Sequence, residues 1–97
     1  MINVKLTTTQ LEITGHAQRP DGVPPGSNII CSAVSALTLT LIEGLIHIAE
    51  EAITTLQEDG HMVIAWEELS TIGQALVDTW YIGILNIKEA YGEITIL

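Results

Sequence analysis

From residue 29 to about residue 51 the apolar side chains recur at helical spacing on two faces at once. Ile30, Val34, Leu37, Leu41, Leu45 and Ile48 make one stripe, and Leu39, Ile42, Ile46 and, just beyond, Ile53 make a second. Only Thr40, Glu43, His47 and Glu50 line up as a polar edge. A helix apolar on two sides must be covered on two sides. In a chain of 97 residues the cover would be a sheet on one face and another helix, or a second subunit, on the other.

The flanking segments supply that sheet. "INVKLT" (2–7) and "QLEIT" (10–14) alternate apolar and polar residues with period two, and the short polar break between them predicts a hairpin. "ITTLQEDGHMVIAW" (53–66) predicts a second hairpin about Asp59–Gly60, a pair that tolerates positive φ. Pattern alone leaves residues 53–56 open between strand and last helical turn. Residues 69–90 predict a second helix with Ile72, Leu76, Trp80, Gly83 and Ile87 inward, followed by a Gly92 stop and a closing strand, "EITIL". The fold class is therefore α+β: a small layered domain with two helices packed on antiparallel sheet, in the order ββ-α-ββ-α-β. Residues 1–97 read as a single domain of one modest core.

Residues 22–42 carry no charge, so a membrane span has to be weighed. Pro24, Pro25, Gly26 and Asn28 interrupt the run and no basic flank follows it, which favours a loop feeding a buried helix. Twelve Asp and Glu against three Lys and Arg give a net charge of −9, leaving no basic patch for nucleic acid or an anionic membrane surface. A basic peptide would instead be steered towards the chain. One cysteine excludes an internal disulfide, and no signal-peptide pattern opens the sequence, so the reading is a cytoplasmic protein.

That cysteine, Cys31, falls in the first turn of the first helix if Ser27 or Asn28 caps it. A thiol attacks as thiolate, and the positive end of a helix favours an anion. First-turn N–H groups could also receive a tetrahedral oxyanion. His16, at the edge of the first hairpin, could act as base and then as acid for a leaving amine. The plainer reading is that Cys31, among Ile29, Ile30 and Ala33, is a small buried hydrophobe. The residues alone leave both open. His47 and His61 read as solvated, Trp66 and Trp80 as core or interface, and the pairs Glu50–Glu51 and Glu67–Glu68 as surface. Cys31 and the scattered histidines lack zinc-ligand spacing, so neither a metal nor a cofactor is expected.

"GHA" at 15–17, followed after a glycine-containing loop by "NIICSAVSAL" at 28–37, resembles the ribosomal-processing cysteine protease family, called Prp. The resemblance implies a small homodimeric endopeptidase that removes a short N-terminal extension from large-subunit ribosomal protein twenty-seven of the L series. It implies a dyad of His16 and Cys31, and a loop at 17–27, with Ala17 and Gly26, that closes over the peptide. Gly15 would let the backbone turn and give the substrate close access. Ser35, a turn after Cys31, matches the family serine; it would hydrogen-bond near the dyad or back to the Cys31 carbonyl. The family's acidic residue three before the cysteine is Asn28 here, which keeps a cap and loses a charge. Pro24–Pro25 stiffen a loop longer than usual. These departures suggest a changed substrate, for example a phage structural protein, or a relative that binds proteins without cutting them.

Overall fold

In a computed structural model of the chain, residues 1–17 and 28–97 are described. β1 (Ile2–Leu6) and β2 (Gln10–Gly15) form the predicted hairpin, with Val4 opposite Ile13 and Leu6 opposite Leu11. Their alternation places Ile2, Val4, Leu11 and Ile13 in the core. β3 (Ile53–Glu58) and β4 (His61–Trp66) form the second hairpin, so residues 53–56 are strand. β4 pairs antiparallel with β2, and β5 (Ile94–Ile96) pairs with β1. The sheet order is β3-β4-β2-β1-β5. It is mixed: the β1–β5 pair is parallel where an antiparallel sheet was expected, because the chain returns to the sheet only after the second helix.

Helix α1 (Ile29–His47) ends about four residues before the apolar pattern does. The Glu51 N–H closes back on the Leu45 carbonyl at 2.8 Å across Glu50, whose φ is 53°. That wide, left-handed ending turns the chain into β3. α1 has the length and hydropathy to cross a bilayer, averaging 2.0 over its most apolar window. Here it shares the buried core with the sheet and packs on α2 (Thr71–Tyr91). Between the helices, the Trp80 indole N–H donates to the Thr38 hydroxyl at 3.1 Å, and that hydroxyl donates to the Val34 carbonyl at 2.7 Å. Both side chains are buried.

Two predicted stripes shift. α2 buries Gly73, Val77, Trp80 and Ile84, leaving Ile72 exposed and Leu76 and Ile87 at the margin. On α1 the second stripe splits: Ile42 is buried, while Leu39 and Ile46 remain 45% and 42% exposed. One sheet and one partner helix cover only part of a helix so apolar.

Candidate active site

The end of β2, the β3–β4 turn and the first turn of α1 converge on one cleft of about 630 Å³. Ile13 and Met62 give it an apolar floor, Cys31, Ser32 and Ser35 one wall, and Glu58, Asp59 and Gly60 the opposite lip. Gly15, His16, Ala17 and Asn28 also line it.

Asn28 organises this end of the molecule. Its side-chain Oδ1 accepts from the N–H groups of Ile30 and Cys31 at 2.9 and 3.0 Å, making it the cap of α1. Its Nδ2 donates to the Ala17 carbonyl at 3.5 Å. The Ala17 N–H in turn points at the Cys31 sulfur, 3.3 Å away. One buried amide therefore clamps the chain after β2 to the start of the helix. An aspartate could accept the two helix N–H bonds but could not donate to Ala17 when ionised.

These bonds alter the expected oxyanion cradle. The N–H groups of Ile30 and Cys31 are taken by the Asn28 side chain, and that of Ser32 by the Asn28 carbonyl at 3.0 Å. The amide that faces the sulfur is that of Ala17. Cys31 is half-buried and packs against the core, so it is at once a small core hydrophobe and a lining residue of the cleft.

His16 is held from behind by its backbone, whose carbonyl accepts from the Met1 nitrogen at 2.6 Å. Its ring lies over the β3–β4 turn. A Cβ on Gly60 would sit 2.6 Å from Nε2, so the histidine occupies the space that glycine leaves. Nε2 is 3.9 Å from Asp59 Oδ1. Among the described residues no hydrogen bond joins the ring to Cys31, as in many substrate-free sites whose catalytic bonds tighten on binding.

Gly15 has φ +89° and donates its N–H to the Gly60 carbonyl at 2.9 Å, which locks the turn beside His16. The space of its missing side chain is filled by the Met1 carbonyl, while Gly15 itself lines the cleft. Ser35 is exposed in the cleft wall and makes no bond to the Cys31 carbonyl. Gly26 and the rest of the predicted closing loop, 18–27, lie outside the described residues. His61, expected in solvent, is half-buried on the open sheet face with Nε2 2.7 Å from Glu12 Oε2. Sequence reasoning saw Asp59–Gly60 only as turn formers. Their place in the site follows from the Thr14–His61 pairing of β2 with β4, a long-range register that no local pattern carries.

The sequence model of the cysteine protease Prp family matches residues 1–95. The chain belongs to the Prp family of cysteine proteases. Among solved structures, it is similar to the ribosomal processing protease Prp of S. aureus in complex with a covalently linked product peptide. That match has 24% identity and a TM-score of 0.86, covering 99% of this chain and 97% of the other. A Streptococcus mutans protein matches at 27% identity and a TM-score of 0.81, covering 99% and 95%. A second structure of the S. aureus Prp, with a substrate peptide, matches at 20% identity and 0.72, covering 99% and 95%. No curated protein matches the chain. The Prp fold thus extends through the whole chain, and the enzyme class is that of a thiol-dependent peptidase.

Proposed function

We propose that this single-domain enzyme removes the N-terminal extension of a ribosomal protein, large-subunit protein twenty-seven of the L series, with Cys31 as nucleophile and His16 as general base and acid. The observation that carries the reading is the convergence of His16, Ala17 and Cys31 on one peptide-sized cleft in a Prp-family chain. The S. aureus relatives, named as ribosomal processing proteases and bound to peptides, support the substrate class.

The chemistry divides into two displacements. His16 takes the thiol proton, and the sulfur attacks the carbonyl carbon of the scissile peptide as its π electrons move to oxygen. The tetrahedral intermediate collapses, the imidazolium gives its proton to the departing amine, and a thioester remains on Cys31. His16 then deprotonates a water that attacks the thioester; the acid product leaves and the proton returns to sulfur. Before attack, the Ala17 N–H steadies the charge on sulfur from 3.3 Å.

Exposed Leu39 and Ile46 on α1 and Ile82 and Leu85 on α2 support a homodimer in which a second copy covers the helices. A cytoplasmic setting suits the single free thiol. Asn28 in place of the family's aspartate leaves a processed phage protein as the alternative substrate.

A peptidyl halomethyl ketone tests the site. It is expected to alkylate Cys31 rapidly in the wild type and at least about tenfold more slowly in His16→Ala, as for loss of a general base. Equal labelling of the two proteins contradicts the dyad.

A further inference from the structure

We propose that Asp59 is the positioning residue for His16, completing a Cys31–His16–Asp59 relay across the cleft. The inference rests on the dyad reading above and adds to it a third residue from a different hairpin.

The geometry is specific about which ring nitrogen is used. A Cβ on Gly60 would lie 2.6 Å from Nε2 but 3.3 Å from both Cδ2 and Cε1, so the ring presents its Nε2 apex to the turn. Asp59 Oδ1 is 3.9 Å from that same nitrogen. On an imidazole, Nδ1 and Nε2 flank the same carbon, and their bonding directions diverge in the ring plane, so a group at one leaves the other open. A carboxylate at Nε2 therefore keeps the proton there and leaves Nδ1 to exchange a proton with the thiol. The turn is fixed for this role, because the Gly15 N–H bonds the Gly60 carbonyl immediately before His16 in the chain.

The electrostatics fit the residue exchange at position 28. Asn28 carries no charge and is committed to the α1 cap and to Ala17. When His16 accepts the thiol proton, Asp59 is, among the described residues, the carboxylate within 4 Å of the ring and able to compensate the imidazolium. In the open cleft Asp59 is 98% exposed, so water screens the pair and its effect is small. A peptide lying in the cleft would exclude that water and strengthen it.

The test uses the chain's single cysteine as its own reporter: the second-order rate of Cys31 alkylation by iodoacetamide at neutral pH, followed by intact mass. Asp59→Asn is expected to slow it about two- to fivefold, the range of an exposed ion pair. Asp59→Glu, which keeps the charge, is expected to stay closer to wild type. In a His16→Ala background the Asp59→Asn change is expected to do nothing further, since its effect passes through the imidazole. Equal rates for wild type and Asp59→Asn, with His16→Ala still slow, overturn the relay and leave the dyad standing. The same drop in the His16→Ala background also overturns it. If His16→Ala alone alkylates at the wild-type rate, the dyad reading falls and takes the relay with it.

Discussion

The amide of Ala17 faces the sulfur of Cys31 across 3.3 Å, while the carbonyl of the same residue accepts from Asn28. A single peptide segment thus joins the edge of the sheet, the helix cap and the thiol. What happens at Asn28 is felt at Cys31 without direct chemistry between them.

Asn28→Ala removes the cap from Ile30 and Cys31 and the donor from Ala17. Loss of such a cap costs about 1 kcal/mol. Urea unfolding should read that loss, and peptidase activity should fall further than stability does, because the Ala17 amide loses its anchor. Activity that tracks stability alone would show that the clamp holds the fold and not the site.

Gly60→Ala places a methyl where His16 Nε2 now lies and forces alanine to φ +74°. The backbone strain is about 1–2 kcal/mol. The expected result is a folded protein, somewhat less stable, whose Cys31 alkylates at nearly the rate of His16→Ala. A wild-type alkylation rate would mean that the ring does not need this position.

Much of this architecture was legible locally. Both hairpins and both helices follow from period-two and helical spacing, and the Asp59–Gly60 turn from its residue types. The motif at 15–17 and 28–37 pointed to His16 and Cys31. What local pattern did not carry is long-range. The end of α1 depends on a left-handed Glu50, the parallel β5 on the return of the chain, and Asp59's approach to His16 on the pairing of β2 with β4. Nor does local pattern show that the residue capping the helix also takes the N–H groups of Ile30 and Cys31.

The buried Trp80–Thr38 bond ties the helices together at 3.1 Å. Thr38→Val keeps the shape and leaves the indole N–H without its acceptor. An unsatisfied buried donor costs about 1–3 kcal/mol. The unfolding free energy should fall by that amount, read as a lower urea midpoint with the m-value unchanged; a cost below about 0.5 kcal/mol, the range of an ordinary surface change, would contradict the role assigned to this bond.

Glu51 sits at the start of α2, receiving the Ser70 hydroxyl and the Ser70 N–H, the latter at 2.9 Å. Those bonds hold its carboxyl below its ordinary value of 4.5. A carboxylate lowered in the folded state adds stability above its unfolded value, and that contribution is lost as pH falls through the folded one. Wild type should therefore melt above Glu51→Gln at neutral pH, with the gap closing as pH drops below 4.5. A gap independent of pH would assign the effect to packing against Gly73.

The central claim is peptide cleavage through Cys31. The most direct measurement incubates the purified protein with ribosomal protein twenty-seven of the L series carrying its N-terminal extension, and follows intact masses over time beside Cys31→Ala. The account predicts one discrete N-terminal loss with the wild type and none with the mutant. An uncut substrate with both proteins would contradict the proposed substrate, and equal cleavage by both would contradict Cys31 as the nucleophile.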